Sequence, residues 1–566
     1  MRRFLLALVC LLTADALYAS TPAETASIAL KDVQKLPIDV QQNSRYFWLG
    51  AVPEKDREQF GKVFAFHVNC ISRNADFVKP VAVADDVWRI DIRDPEWKRE
   101  VYEKLADVEP YFHAKVQTVL VPAVVTTAVI AVGDTIKTVR KCNAYWENAP
   151  NRVRGQIDAG DDFKAIGASD GKVLIDTSVG KVWVSTSDVE KVGSSASGGV
   201  AQTPQVPTVG QKVGDAVTAS APWLPAETMT TLINLTQSQV PLVRADWFFA
   251  QTCRAIGRNG KADGANYFDF LGVKNQKDAE DLAGLDRKKA QKIQREIAAI
   301  VAESGVALNN RQIFRFGTIA GSWWETRDVE ENDGAKNATR QLDEDFKADA
   351  LEVYFTLPNR LFGLLALNNK GELQATVPDK IASDSKTTSK DARIHSSLGC
   401  IRCHDPGLQP IEDWARQFYA QPPGDAKLYS PDYEKLKRLK RLYLTPLEDD
   451  YEGDQVVYAK ALKRLTGWKP AEAAKAYGLV WQKYADTSVT GKAFAFELGV
   501  PYETMIDAFK AYAKSQAGNL DPVLIGFIKV PEFASRREYI EEIYPAAQQA
   551  LQAYKPPEKK KEENAP

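Results

Sequence analysis

Apolar and charged residues alternate through Val87-Trp88-Arg89-Ile90-Asp91-Ile92-Arg93, the period of two expected of a strand with one face buried. Together with the aromatic run Arg45-Tyr46-Phe47-Trp48-Leu49, this makes the stretch from Leu36 to about Glu109 an α+β unit. Short strand signals recur in Lys172-Val173-Leu174-Ile175 and Lys181-Val182-Trp183-Val184, separated by Thr177-Ser178-Val179-Gly180, and predict a small β module. From Gly193 to Pro222 neither period is present, and Gly, Ser, Ala, Pro, Thr and Val dominate, as in a flexible linker. Beyond it, Val243 to Cys253 reads as a helix. Lys288 to Ser304 does too, because Ile293, Ile297, Ile300 and Val301 follow a helical spacing.

Three apolar runs then follow, Glu352 to Leu357, Leu361 to Leu367 and Glu372 to Val377. Pro358-Asn359-Arg360 and Asn368-Asn369-Lys370-Gly371 break them, the pattern of a β meander. The remainder reads as helices opened by Ser430-Pro431, Pro470 and Pro501. The first carries Leu436, Leu439 and Leu442, and the last presents Met505, Phe509, Tyr512 and Ala513 on one face. The expected architecture is therefore α+β and multidomain: a mixed N-terminal part, a small inserted β module, and a C-terminal part that is mainly β and then α. The boundaries fall at 20–150 for the N-terminal domain, 151–192 for the β module, 193–222 for the linker, 223–377 for an α+β middle domain, 378–555 for a helical domain, and 556–566 for a disordered tail.

Composition narrows the functional classes. The 73 Lys and Arg nearly balance 75 Asp and Glu, so no global field draws in nucleic acid or an anionic membrane. The N-terminus runs Arg2-Arg3, an apolar stretch from Phe4 to Leu12, then small residues ending at Ala19, which is the order of a secretory signal peptide over 1–19. That apolar stretch is too short to span a bilayer, and Cys10 within it leaves with the leader. The apolar Val116 to Val132 is β-branched and interrupted by Pro122, which suits buried strands better than a membrane helix, so no transmembrane span is expected in the mature chain.

The candidate chemistry lies in Leu398-Gly399-Cys400-Ile401-Arg402-Cys403-His404. Two cysteines separated by two residues can each add across one haem vinyl group, and the histidine that follows then lies beneath the ring with an imidazole nitrogen on the iron. A thioredoxin-like redox pair calls for a βαβ setting, and structural zinc calls for further Cys or His nearby; neither is present. The cofactor expected is one covalent haem c, with Cys400, Cys403 and His404 binding it and His404 ligating the metal. No phosphate loop, Gly-x-Ser-x-Gly or His-Glu-x-x-His competes. The sixth iron ligand stays open among Met505, Met229, His395, His67 and His113, or none. Of these, Met505 and Met229 read as core, His67 and His113 as structural, and His395 as part of a solvated loop. Cys70, Cys142 and Cys253 allow one disulfide of undetermined pairing.

Arg45-Tyr46-Phe47, Arg89-Ile90-Asp91-Ile92-Arg93, Arg244-Ala245-Asp246-Trp247, Asn309-Asn310-Arg311, Leu357-Pro358-Asn359 and the Cys-x-x-Cys-His together resemble the large exported c-type cytochromes of planctomycetes and other Gram-negative bacteria, which carry a single late motif. The resemblance leaves out roughly 115–220. It implies haem and export to the periplasm or cell surface, maturation by a haem attachment machinery, and a redox partner protein of unknown identity. The expected role is single-electron transfer, an electron carrier more than a catalyst. A peroxidase-like or gas-binding haem protein with an open distal site, and an interaction protein with a structural haem, are the alternatives.

Overall fold

The structure is a computed structural model. It describes most of the chain between residues 20 and 554, chiefly excluding 117–134, 192–216, 257–264, 302–308, 339–345, 383–392 and 414–440. The signal peptide, nearly all of the linker, the C-terminal tail, His113 and the start of the helix at Ser430-Pro431 lie outside the described residues. The architecture is the α+β multidomain arrangement that the pattern implies. Its chain divides into two compact units, Val116–Val217, and Met1–Lys115 together with Thr218–Pro566.

Val116–Val217 contains one antiparallel sheet whose strand order is Val189–Lys191, Thr135–Thr138, Asp162–Ser169, Lys172–Thr177, Gly180–Ser185, Cys142–Trp146 and Ala149–Ile157. Alternation decides which side chains meet: Val173 faces Val184 and Ile175 faces Val182 across one pair of strands, and all four are buried with Ile136 and Val189. The module therefore begins earlier than the expected residue 151. The strands at 135–146 are short and alternate poorly, and only their partners show that they belong to this sheet.

In the other unit, Ser44–Trp48 pairs with Val87–Asp91 on one side and runs parallel to Leu242–Arg244 on the other. Segments on either side of the inserted module thus share one sheet. Phe47, Phe64, Trp97, Tyr102, Phe248 and Phe270 cluster beside it in a mixture of edge-to-face, tilted and stacked contacts, the edge-to-face ones favoured by the ring quadrupole.

The second sheet is an antiparallel meander: Glu296–Val301, Arg311–Gly317, Ser322–Asp328, Ala350–Thr356, Phe362–Asn368 and Leu373–Gln374. Its last three strands occupy the three predicted apolar runs. Its first overturns an expectation. The helix in Lys288–Ser304 stops at Lys292, and Glu296-Ile-Ala-Ala-Ile-Val is a strand buried along nearly its whole length. A short apolar run fits a buried strand as well as a helix face, and here pairing with Arg311–Gly317 decides. Val243–Cys253 likewise splits, into the strand Leu242–Arg244 and the helix Ala245–Thr252.

C-terminal helices cover Glu448–Thr466, Pro470–Asp486, Gly491–Glu497, Tyr502–Ser515, Pro522–Lys529 and Arg537–Ala553. Pro470 opens Pro470–Asp486 as the sequence pattern suggests, and Pro522–Lys529, which was not anticipated, starts with Pro522 and with the Asp521 side chain accepting from Val523 N. Arg315 binds Asp454 through Nε and Nη2 at 2.9 and 3.1 Å, and Trp324 Nε1 donates to the same carboxylate at 2.9 Å, fastening Glu448–Thr466 to the meander. Among the described residues no helix is long and apolar enough to cross a membrane.

Candidate haem site

The motif occupies a six-residue helix, Leu398–Cys403, and the chain enters it under strain. Ser397 has φ 72° and ψ −76°, the centre of a γ-turn in which Leu398 N donates to Ser396 O at 3.2 Å. Non-glycine residues adopt this backbone only where surrounding contacts enforce it. Those contacts are present: Ser396 N donates to Ala375 O, Ser396 Oγ to Gln374 O, and Leu398 N to Cys253 O at 3.1 Å. Gly399 then sits against the preceding loop, where a Cβ would lie 3.0 Å from Ile394 Cγ2 and 3.1 Å from its Cα. Gly399→Ala is accordingly expected to destabilise by about 1–3 kcal/mol through overpacking against backbone. A thermal melt checks this; an unshifted midpoint contradicts the close approach.

One helical turn separates Cys400 from Cys403, so both thiols project from the same side. They are buried and reduced. Burial, with Glu352 and Cys403 adding to it, pushes the Cys400 thiol well above its ordinary range, so it is protonated at neutral pH. His404 ends the helix, its backbone N donating to Cys400 O at 2.8 Å. Its Nδ1 lies 3.0 Å from Gly407 O, and a carbonyl can only accept, so the proton is on Nδ1 and Nε2 carries the acceptor lone pair. Gly407 has φ 102°, and a Cβ on it would fall 2.3 Å from Gln455 Oε1, which itself accepts from Leu408 N; glycine is required for the turn that orients the imidazole.

Beside this turn is a small cavity lined by Phe66, Cys70, Tyr354, Phe362, Leu364, Ile401, His404, Gly407 and Tyr458. Tyr354 packs on the His404 ring with centroids 4.1 Å apart and donates its hydroxyl to Glu352 Oε1. The donor set fits a c-type haem: two reduced thiols one turn apart, an imidazole oriented by a backbone carbonyl, and an apolar, aromatic wall. Among the described residues no group of three or more His, Cys, Asp or Glu is placed to hold a bare metal ion.

The expected distal candidates are scattered. Met229 and Met505 are fully buried in Ala226–Thr236 and Tyr502–Ser515, and neither lines the cavity. His67 is fully buried, with Nδ1 2.8 Å from Tyr477 Oη and Nε2 2.7 Å from Thr252 Oγ1, the structural histidine its apolar helix implies. His395 is not in a solvated loop: it is buried and bridges to Thr376 at the edge of the meander, a contact no local pattern announces. Cys70 and Cys253 are buried and unbridged, while the side chain of Cys142 lies outside the described residues. Sequence reasoning missed Cys70 as a cavity residue. The available signal was its i, i+4 relation to Phe66 on one helix face.

No family model, no curated protein and no solved structure matches this chain.

Proposed function

We propose that the protein is an exported monohaem c-type cytochrome that transfers single electrons, acting in the periplasm or at the cell surface of a Gram-negative bacterium. One observation carries the reading: Cys400, Cys403 and His404 share one helical turn, and the His404 ring is oriented by its Nδ1–H bond to Gly407 O beside an aromatic cavity. Cys400 and Cys403 would anchor the group through thioether bonds, and His404 would supply the proximal nitrogen. When bound, haem supplies a one-electron iron couple. Gly407 keeps the imidazole proton on Nδ1. Tyr354, Phe362, Leu364 and Tyr458 give the cavity a largely apolar wall, and the polarity around a haem is one of the means by which a protein sets its potential. The Arg2-Arg3, apolar and Ala-rich order of the N-terminus supports export, which covalent haem attachment requires in bacteria. A redox protein is the partner this role calls for.

The cavity favours a second reading, a gas-binding or peroxidase-like protein with an open distal position. In a host that matures c-type cytochromes, the purified wild-type protein should keep its haem through denaturing electrophoresis, and Cys400→Ser with Cys403→Ser should lose it. Wild-type protein without covalent haem contradicts the proposal. Carbon monoxide added to the reduced wild type distinguishes the two readings: an unmoved Soret band supports the six-coordinate carrier, and a rapid shift supports the open site.

A further inference from the structure

We propose that Asp328 takes up a proton when the haem site gains an electron, so that a proton and an electron enter and leave the protein together. This rests on the haem reading above. The geometry behind it is a row of charged and aromatic side chains across the meander that ends on the proximal histidine. Arg311 stands between two carboxylates, its Nε 2.8 Å from Asp328 Oδ1 and its Nη1 3.9 Å from Glu352 Oε2. Glu352 Oε1 in turn accepts the Tyr354 hydroxyl at 3.0 Å, and the Tyr354 ring packs on His404. Strand alternation puts Asp328, Glu352 and Tyr354 on one face of neighbouring strands, where Thr326 lies opposite Glu352 and Trp324 opposite Tyr354.

Two acids sharing one guanidinium leave a surplus negative charge, and Asp328 is the less well held of the two. It is 3 % exposed, its Oδ2 accepts from Thr326 Oγ1 at 3.2 Å, and its Oδ1, close as it is to Arg311, lacks the alignment of a hydrogen bond. Glu352 by contrast keeps the Tyr354 hydrogen bond. Burial, with Glu352 adding to it, outweighs Arg311 and raises Asp328 to about 6, whereas Asp246, Glu325 and Glu497 are all held below their ordinary range. The other charges nearby are balanced: Asp349, whose backbone N donates to Asp328 O, pairs with Lys336 at 2.9 Å, and Glu325 and Arg327 pair with each other on the opposite face of the strand. An electron arriving beside His404 makes the site more negative by one charge, and in a dry interior that charge is weakly screened, so the carboxylate at the far end of the row binds a proton more tightly. The electron comes from a one-electron donor protein and the proton from water. One O–H bond forms on Asp328, and Arg311 is left to Glu352; oxidation by an acceptor protein reverses both transfers. Linkage then makes the reduction potential higher on the acid side of the Asp328 titration than on the alkaline side.

The reduction potential of the haem-loaded protein, measured from about pH 4.5 to 8, tests this. In the wild type it should fall as pH rises through about 6 and level off on either side. Asp328→Asn, neutral like the protonated acid, should hold the potential level near the acid-side value of the wild type. A level wild-type potential, or the wild-type slope persisting in Asp328→Asn, overturns the proposal and leaves the cytochrome reading intact, whereas wild-type protein without covalent haem overturns both. Glu352→Gln removes the anion that helps raise Asp328 and should move the break to lower pH. It also serves if Asp328→Asn fails to fold, and an unmoved or abolished break overturns the assignment to Asp328. Infrared difference spectra, reduced minus oxidised, at about pH 6 should show a carboxylic acid C=O stretch gained on reduction and missing in Asp328→Asn; a wild-type spectrum without it contradicts proton uptake by a carboxylate.

Discussion

Glu497→Gln is expected to destabilise the larger unit by about 3–5 kcal/mol, the range for stranding a partner of a buried ion pair. Glu497 accepts from Arg537 Nη1 and Nη2 at 2.6 and 2.8 Å, and its Oε2 lies 2.9 Å from Arg244 Nη1. Arg244 is fully buried, held by Asp246 through Nε at 3.1 Å and Nη2 at 2.7 Å, with its guanidinium 4.2 Å from the Tyr111 ring centroid. Two cations thus balance two anions. Burial opposes the charge on Glu497, but Arg244 and Arg537 outweigh it and hold the carboxyl below its ordinary range. Glutamine keeps the shape and removes the charge, leaving two buried guanidinium groups with one carboxylate. Urea unfolding should show a lower midpoint at unchanged slope. A loss under about 1 kcal/mol, the size typical of an exposed pair, contradicts a desolvated network.

That network also shows how far the sequence was legible. Arg244-Ala245-Asp246-Trp247 stands out as a motif, yet its purpose depends on Glu497 and Arg537, which lie some 250 and 290 positions further on. The last three strands of the meander were legible because turn residues bracket their apolar runs, whereas its first three were not. The parallel pairing of Ser44–Trp48 with Leu242–Arg244 was not, because strand periodicity says which face is buried and nothing about the neighbour. The same division runs through the candidate site. The spacing of Cys400, Cys403 and His404 is local and readable, and the Nδ1 bond to Gly407 lies within the same turn. Cys70 and Tyr458 reach the cavity from distant helices, so their place beside His404 emerges only on folding.

The second large effect is a reversal of the pH dependence of stability when His67 is replaced. Burial lowers its pKa from the ordinary 6.5 to about 3, and its contacts are the neutral Tyr477, Thr252 and Phe249. The folded state therefore keeps His67 neutral while the unfolded state takes up a proton below pH 6.5. This contribution is complete above pH 6.5 and is lost as pH falls toward 3, at up to about 1.4 kcal/mol per unit. Between pH 6.5 and 4.5 the loss amounts to about 2–3 kcal/mol. Asp328 works in the opposite sense. Burial raises it from 3.8 to about 6 despite Arg311 at 2.8 Å, so the folded state binds the extra proton and gains stability as pH falls from 6 to 3.8. The wild-type slope in that window is consequently shallow. His67→Gln removes one side of the balance and should make stability rise on mild acidification, until protonation of the unfolded state draws on Asp246, Glu325 and Glu497, which their arginine partners hold below their ordinary range in the folded state. Asp328→Asn should steepen the loss instead. Unfolding free energies of the three proteins at intervals from pH 7 to 4.5 check both signs, and parallel curves for wild type and His67→Gln would mean that His67 is not held neutral in the folded state.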